Sequence, residues 1–299
     1  MKNIFLKIAL LLFVIFLSCP SHAEKKILKM STTTSTQDSG LLEVILPVFE
    51  SDTGIKVKVI AKGTGAAIRD GMDGNVDIIF VHAKKREKKF IAEGFGTRRY
   101  GVMHNDFVVI GPKNDPAKIA GLTDAASAFK KIAQSKSVFV SRGDDSGTHT
   151  KEQKIWAVTG IPMVTETKEI VKKGKTAQIT FTHPEGMGRW YLSIGQGMGA
   201  TITFAEEKQT YTLSDRGTYL AYKYGRTQRL DLEILCEGDA QLKNEYGLIP
   251  LNPLKFKHVR FDLAQRFADW IMSEKGQSLI AGYKLFGKQL FYPDAATAD

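Results

Sequence analysis

The sequence has 299 residues, of which 43% are hydrophobic and 25% are charged. This length and balance predict a globular protein of one or two domains, and they exclude a disordered, collagen-like or coiled-coil chain. The formal net charge of +10 is scattered along the chain. Its densest basic run, at 84–89, contains a glutamate and no aromatic residue, which favours a solvated helix face over a nucleic-acid-binding surface.

The first 23 residues have the pattern of a secretory signal peptide. A basic start precedes an apolar stretch at residues 8–17, and Ser21 and Ala23 form a cleavage site after Ala23. The stretch is short for a membrane span; a lipoprotein cleaved before Cys19 is the alternative. Cleavage after Ala23 leaves Cys236 as the one cysteine of an exported protein, so we expect no internal disulfide and a periplasmic location.

The segment that follows alternates predicted strands and helices. Apolar patterns predict strands at 27–30, 55–59 and 76–81, and a short helix after the turn at 63–65. They also predict a first helix with one apolar face formed by Leu41, Leu42, Ile45, Leu46 and Phe49. Asp38 or Ser39 is the expected cap of the first helix, and Gly54 ends it. Pro47 falls inside the pattern and is expected to kink the helix or to start its main body. This β-α-β-α-β order predicts a parallel sheet with right-handed crossovers.

The alternation continues in the second half of the chain. Patterns predict strands at 107–110, 137–140 and 232–235, and helices at 123–134, before 156, at 215–222 and at 263–271. Thr123 is the expected cap of the first of these helices, and Ser214 or Asp215 caps a later one. Residues 160–190 give no clear pattern. Without an internal repeat or linker, two α/β lobes joined by short crossings are expected.

Three segments rich in hydroxyl groups or glycine follow predicted strands and precede predicted helices, at 32–36, 63–65 and 141–149. In α/β sheets, ligands bind at the carboxyl ends of strands, where helix N-termini offer unpaired N–H groups and a partial positive charge. Hydroxyls, amides and one guanidinium could together satisfy a small dianion. The candidate ligand-binding residues are Ser35, Thr36, Thr64, Arg142, Ser146, Gly147 and Thr148, with Thr34 as an addition.

Arg142 has a second interpretation. Asp144 and Asp145 lie close enough in the sequence to form a salt bridge with Arg142, which would make the arginine structural. Carboxylates beside an anion repel it unless they point away or hold the arginine in place. We favour the role of holding Arg142.

Eight strings along the chain have a family resemblance. They are TTTSTQDSGLL (32–42), GTGAA (63–67), FVHA (80–83), VMHNDFVVIGP (102–112), SRGDDSGTH (141–149), GQGMGAT (195–201), YTLSDRGTYL (211–220) and EYGLIPLNP (245–253). In this order they resemble the tungstate-binding proteins of bacterial ABC transporters over essentially the whole mature chain. The resemblance implies a type II periplasmic-binding-protein fold: two α/β lobes, each a mixed, mainly parallel sheet flanked by helices, with a tetrahedral oxyanion in the interlobe cleft. It also implies delivery to a membrane permease driven by a cytoplasmic ATPase.

The sequence is also similar to that of phosphate binders, with one departure. Those relatives carry an arginine followed four residues later by Ser-Gly-Thr, a Ser-Thr pair in their first loop and a serine in their second turn. The matching residues here are Ser35, Thr36, Thr64, Arg142 and 146–148. The relatives also use an aspartate after the third strand to accept the proton of hydrogen phosphate, and His82 stands near that position here. The departure favours a fully deprotonated oxyanion: tungstate, molybdate or sulfate. His82 either contacts the ligand or only packs at the strand end.

Three other functional classes are less well supported. Ser146, Asp144 and His149 supply the residue types of a hydrolase triad, but they lie in one loop and no G-x-S-x-G motif is present. The six histidines show no metal-ligand spacing. No phosphate-binding motif of a nucleotide enzyme follows a strand.

The sequence therefore predicts an oxyanion-binding protein that is not an enzyme and has no cofactor or metal site. Tungstate is the expected ligand, molybdate and sulfate are the alternatives, and a secreted hydrolase is a distant one. The expected division is a signal peptide at 1–23, lobe 1 at 24–105 with 251–299, and lobe 2 at 106–250. The expected partners are the permease with its ATPase, with no nucleic acid, and the protein is expected to be a monomer.

Overall fold

The computed structural model describes residues 26–144, 146–172, 175–185 and 188–295. The predicted signal peptide and Asp145 lie outside these residues. Within the described ranges, no helix is both long enough and apolar enough to cross a bilayer.

The described chain forms fourteen strands and ten α-helices. The strands are β1 Lys26–Thr33, β2 Ile55–Lys62, β3 Ile78–Val81, β4 Tyr100–Gly111, β5 Phe139–Ser141, β6 Met163–Lys172, β7 Lys175–Pro184, β8 Tyr191–Ser193, β9 Tyr211–Asp215, β10 Glu233–Cys236, β11 Lys243–Pro250, β12 Lys284–Leu285, β13 Lys288–Gln289 and β14 Tyr292–Pro293. The helices are α1 Thr34–Asp38, α2 Leu41–Thr53, α3 Thr64–Met72, α4 Lys84–Ala92, α5 Ala125–Gln134, α6 Gly147–Val158, α7 Met198–Lys208, α8 Arg216–Tyr224, α9 Phe261–Met272 and α10 Glu274–Gly282.

The main sheet contains ten strands in two parallel groups joined by antiparallel strands. Its order is β2-β1-β3-β11-β4-β9-β5-β8, and β10 and β14 also pair with β4. Strand β1 is parallel to β2 and β3, and β5 is parallel to β8 and β9. Strands β4 and β11 run antiparallel to their neighbours. The predicted mixed α/β architecture is therefore confirmed.

Strand β4 belongs to both halves of this sheet. Up to Asp106, which lies opposite Lys243, it pairs with β11, and from Phe107, which lies opposite Asp215, it pairs with β9. The sequence predicted only the apolar second half of β4. Strand β11 pairs with β3 and with the first half of β4, although the expected division assigns residues 243–250 to lobe 2. The lobe boundaries stay a prediction.

Apolar side chains cover both faces of the sheet. Helices α2 and α9 place the predicted stripes of Leu41–Phe49 and Leu263–Ile271 in one core, while Ile79, Val81 and Phe90 form a smaller cluster on the opposite face. A third core lies around Trp156 in the second half. Each fully buried large apolar side chain contributes about 1.5–3 kcal/mol, so this burial fixes the strand ends that carry the polar segments.

Two predicted helix caps are wrong. The N-cap of α2 is Gly40, with a φ of 79°, rather than Asp38 or Ser39. Asp38 ends the short helix α1 and Ser39 is its C-cap, so the chain needs a left-handed residue before the next helix can start. The cap of α5 is Asp124 rather than Thr123, because Asp124 accepts a hydrogen bond from the Ser127 N–H.

Pro47 does not start the main body of its helix, because α2 begins at Leu41 and continues through Pro47 to Thr53. Other local predictions are confirmed. Gly54 ends α2 in the left-handed region, with a φ of 68°. Asp215 caps α8 by accepting a hydrogen bond from the Thr218 N–H. Capping chemistry and glycine signals are local, so the sequence carries them without knowledge of the fold.

The segment without a clear pattern contains a long hairpin of β6 and β7, which forms its own two-stranded sheet. Threonine hydroxyls meet across the strands, with 3.1 Å between Thr165 and Thr182 and 2.9 Å between Thr167 and Thr180. These threonines lie two positions apart on each strand. The residues between them are not consistently apolar, so the sequence does not predict a strand here.

Candidate functional site

A group of hydroxyls lies at the end of β1. Thr33 Oγ1 accepts a hydrogen bond from the Thr36 N–H at 3.2 Å and caps α1. The same oxygen lies 2.6 Å from Thr36 Oγ1 and 3.0 Å from Ser35 Oγ. Thr36 is buried, whereas Thr34 and Ser35 are exposed. The predicted residues Ser35 and Thr36 are thus held together by Thr33, a residue that the sequence did not single out.

Thr64 lies in the neighbouring turn. It is the first residue of α3, directly after β2, and β2 pairs in parallel with β1 so that Lys62 lies opposite Thr33. The two turns therefore share one edge of the sheet. Thr64 is half-buried, and its hydroxyl makes no hydrogen bond within the described residues. Helix α3 has no side-chain cap, so donors remain at this edge.

His82 lies beside these hydroxyls. It follows β3, which is parallel to β1, and its Nε2 lies 3.1 Å from both Thr33 Oγ1 and Ser35 Oγ. Its Nδ1 lies 3.2 Å from Asn244 Oδ1. Burial lowers the pKa of His82, against the opposing effects of Asp215 and Asn244. His82 is therefore neutral near pH 7 and in contact with a predicted binding residue.

A second group lies after β5. Arg142 donates from Nε and Nη2 to Asp144 Oδ2, at 3.1 and 2.5 Å, and from Nη1 to Thr148 Oγ1 at 3.3 Å. Asp144 also accepts a hydrogen bond from the Ser146 N–H. Burial opposes ionisation of Asp144, but the hydrogen bonds from Ser146 and Arg142 are together stronger and lower its pKa. The ion pair with Arg142 that we inferred for Asp144 is present; Asp145, the other candidate, lies outside the described residues.

This second group opens α6. Ser146 is the N-cap, and its Oγ accepts a hydrogen bond from the His149 N–H at 3.2 Å. Gly147 is exposed at the first position of the helix, and Thr148 is buried. Ser146 and Thr148 therefore present hydroxyl groups at a helix N-terminus, where the N–H groups of Gly147 and Thr148 have no partner within the helix.

Strand β11 connects the two groups. Lys151, one turn into α6, donates from Nζ to the carbonyl oxygens of Gln241 and Lys243, at 2.6 and 2.9 Å. The next residue, Asn244, contacts His82. Within the described part of the chain, no hydrogen bond joins Ser35, Thr36 or Thr64 directly to Arg142, Ser146 or Thr148. Both groups lie at the carboxyl ends of parallel strands, as predicted.

Glu152 is a buried residue of α6 that is hydrogen-bonded to the strand end carrying the second group, and the sequence analysis missed it. Its side chain is 2% exposed and accepts hydrogen bonds from Tyr191 Oη at 2.8 Å and Trp156 Nε1 at 3.1 Å. A further hydrogen bond joins it to Ser141, whose Oγ accepts from the Gly143 N–H beside Arg142. Burial raises the pKa of Glu152 to about 7. A glutamate one turn before a buried tryptophan was the only sequence signal.

We expect Glu152→Gln to flatten the pH dependence of stability. Because the folded-state pKa is raised from 4.5 to about 7, the folded state binds the proton more tightly than the unfolded one. The contribution of the Glu152 proton to the free energy of unfolding is therefore fully present below about pH 4.5 and is lost as pH rises through about 7. The free energy of unfolding changes by about 3 kcal/mol over this range. Urea unfolding of both proteins from about pH 4.5 to 8 measures it. Parallel curves for wild type and variant would contradict the prediction.

Other sites compete poorly with these groups. Ser146 caps α6 and Asp144 pairs with Arg142, so neither is arranged around His149 as in a catalytic triad. No group of three or more His, Cys, Asp or Glu in the described ranges could hold a metal ion. Cavities of about 220 and 380 Å³, lined by residues such as Arg98 and Tyr219, contain none of the predicted binding residues.

Comparisons with known proteins place the chain among binding proteins. Residues 20–275 match a family described as a PBP superfamily domain. The chain is 45% identical over 271 residues to the tungstate-binding protein TupA of Peptoclostridium acidaminophilum, covering 89% of this chain and 85% of the relative.

Two solved structures agree with that relative. The tungstate-binding protein TupA from Desulfovibrio alaskensis G20 has a TM-score of 0.80 at 44% identity, covering 90% of this chain and 98% of that one. The structure of the tungstate ABC transporter from Geobacter sulfurreducens has a TM-score of 0.70 at 49% identity, covering 86% of this chain and 98% of that one.

Proposed function

The chain belongs to the PBP superfamily and, within it, to the tungstate-binding proteins, and from this premise we propose that it binds tungstate for uptake by an ABC transporter. The predicted periplasmic-binding-protein fold is confirmed by the same similarities. The observation that carries the function is the identity of 40–49% to proteins named for tungstate binding or transport, over most of the chain.

The proposed site supplies donors and few acceptors. Ser35, Thr36 and Thr64 offer hydroxyls from one edge of the sheet, with Thr34 beside them, and Ser146, Gly147 and Thr148 offer hydroxyls and amides at the start of α6. Arg142 supplies the cation. Charge-assisted hydrogen bonds contribute about 1.5–3 kcal/mol each, so a handful supports binding in the micromolar range or tighter, about −8 kcal/mol. One guanidinium does not neutralise a dianion, so backbone dipoles supply the remaining electrostatic stabilisation.

Hydrogen phosphate should bind poorly because the proposed site, among the described residues, offers no free carboxylate to accept the proton of this ligand. The carboxylate that acts on the imidazole of His82 belongs to Asp215. That carboxylate accepts hydrogen bonds from Thr218 N and Oγ1, both at 2.8 Å, because it caps α8. An engaged carboxylate is a poor acceptor for a ligand proton. A fully deprotonated tetrahedron, whether tungstate, molybdate or sulfate, needs no such acceptor.

The proposal also covers the location of the protein and its transporter partners. Two of the similar proteins are named for ABC transporters. These names support an extracytoplasmic protein that hands its oxyanion to a membrane permease driven by a cytoplasmic ATPase. The protein acts as a monomer without a cofactor, with the oxyanion as cargo. Release from the membrane by cleavage after Ala23 is part of the same proposal.

Calorimetric titration of the ligand-free protein with tungstate, molybdate, sulfate and phosphate tests the function. We expect saturable heat with tungstate at one anion per chain, weaker or no binding of sulfate, and none of phosphate. Molybdate is the close competitor, because it has the same charge and shape. Heat with phosphate alone, or with none of the four anions, would overturn the proposal.

A further inference from the structure

A chain of hydrogen-bonded side chains joins the hydroxyls at the end of β1 to the strands that link the two halves of the sheet. Asn244 Nδ2 donates to Asn105 Oδ1 at 2.7 Å, and the two residues lie opposite each other on β11 and β4. Asn244 Oδ1 faces His82 Nδ1, and His82 Nε2 faces Thr33 and Ser35. Asn105 and Asn244 are 4% and 8% exposed, so water does not replace these contacts.

The contacts fix the tautomer of His82. The Asn105 amide nitrogen donates to Tyr246 Oη at 3.4 Å, which leaves Asn105 Oδ1 to accept from the Asn244 amide nitrogen and places the Asn244 oxygen beside His82 Nδ1. An oxygen without a hydrogen can only accept, so Nδ1 carries the imidazole proton and Nε2 of the neutral ring is an acceptor. The rings of His82 and Tyr246 lie 4.8 Å apart, which holds the imidazole plane.

We propose that His82 is a positioning residue of the anion site, which directs the Ser35 hydroxyl toward the ligand; this inference rests on the proposed function. Each hydroxyl has one proton to donate. Thr33 Oγ1 lies near two other hydroxyls, Thr36 Oγ1 at 2.6 Å and Ser35 Oγ at 3.0 Å, and near His82 Nε2 at 3.1 Å. Of these three atoms only Nε2 has no proton of its own, and Thr33 is buried away from solvent, so we assign the Thr33 proton to His82 Nε2. Thr33 thereby fills the imidazole lone pair, and Ser35, which is exposed, keeps its proton for the oxyanion.

This relay of hydrogen bonds, which runs from Asn105 through Asn244 and His82 to Thr33, also depends on its place in the sheet. Strand β4 changes its partner from β11 to β9 between Asp106 and Phe107, one residue after Asn105. The register of β4 and β11 therefore sets where Asn244 holds the imidazole. The geometry of the β1 hydroxyls depends in this way on strands that lie at the junction of the two halves.

Three variants separate the two functions of the imidazole. His82→Asn can reach Asn244 but not the hydroxyls, and we expect it to weaken the tungstate Kd about 10-fold, the effect of one lost hydrogen bond. His82→Gln places an acceptor where Nε2 lies, and it should recover most of that loss. Asn244→Ala should also cost about 10-fold, and combining it with His82→Asn should add little, because both act through one relay.

The controls distinguish this inference from the function itself. His258→Asn removes a histidine whose Nε2 contacts only Gly74 O among the described residues, and it should bind like wild type. If wild type binds tungstate while His82→Asn binds equally well, or if His82→Gln recovers nothing, the positioning role is wrong and the function stands. If wild type fails to bind, the function is wrong.

A measurement on the unmodified protein covers variants that fail to fold. Nitrogen-15 spectra of histidine-labelled protein report which ring nitrogen carries the proton. We expect His82 in the Nδ1–H form at neutral pH, both with and without tungstate. A proton on Nε2 would overturn the inference, because the ring would then donate to the hydroxyls and leave Asn244 Oδ1 facing a lone pair.

Discussion

Replacing Arg142 with alanine is expected to weaken tungstate binding about 100- to 1000-fold, which corresponds to about 3–4 kcal/mol. The change removes a cation from a site for a dianion. It also frees Asp144, whose carboxylate now receives two hydrogen bonds from the guanidinium, and an unpaired carboxylate repels the ligand. Titration calorimetry measures the affinity, and thermal unfolding checks that the fold persists.

Further variants separate these two contributions. Arg142→Ala combined with Asp144→Asn should recover part of the affinity, because the repulsion disappears while the lost cation does not. Arg142→Lys should lie between wild type and alanine, since it keeps the charge but loses the planar fork. Arg266→Ala, an exposed arginine on α9, is the matched control and should bind normally. Near-wild-type affinity in Arg142→Ala would remove Arg142 from the site.

Much of the fold could be predicted because its signals are local. The apolar run of β3 is buried at every position, and the stripe from Leu263 to Ile271 forms the buried face of α9. Asp215 and Gly54 act within one turn of their own position. Periodicity and capping need only a few neighbouring residues, so no knowledge of the distant chain was required.

Elements whose stability comes from distant partners were missed. The first half of β4 is mixed in polarity, with Gly101 and Asn105 among its residues, and pairs with β11 far along the chain. Strand β11 itself was not predicted. The hairpin of β6 and β7 was missed for a related reason. Its two strands pair with each other, and their apolar residues do not alternate regularly enough to predict a strand with one buried face.

The candidate site divides in the same way. The hydroxyl segments and the pairing of Arg142 with Asp144 follow from spacing within single loops. His82 was noted only through a resemblance, and its partner Asn244 lies 162 residues further along the chain. Glu152 depends on Tyr191, 39 residues away. Residues that hold a site in place from other strands leave little trace in sequence patterns.

A large loss of stability is expected for Arg99→Met. Arg99 Nε donates to Glu87 Oε2 at 2.6 Å, and the two side chains are 11% and 0% exposed. Gly247 makes room for the pair, because a Cβ there would lie 2.0 Å from Glu87 Oε2. Without Arg99, a buried carboxylate loses its cation, which costs about 3–5 kcal/mol. Urea unfolding at about pH 8 measures the loss.

Two comparisons test the cause of this loss. Burial raises the pKa of Glu87 even though Arg99 lowers it, so in Arg99→Met the carboxyl should take up a proton on acidification. The loss of stability relative to wild type should therefore shrink toward about pH 5.

A double variant with Glu87→Met should recover most of the stability, because Arg99 Nη2 has no hydrogen-bond partner among the described residues and apolar replacements of buried pairs are often neutral. Lys89→Met is the matched control: Lys89 on the same helix forms an exposed pair at 3.7 Å with Glu93, the C-cap of that helix, and the loss of this pair should cost at most about 0.5 kcal/mol. Equal losses in Lys89→Met and Arg99→Met would mean that burial of the ion pair is not the cause.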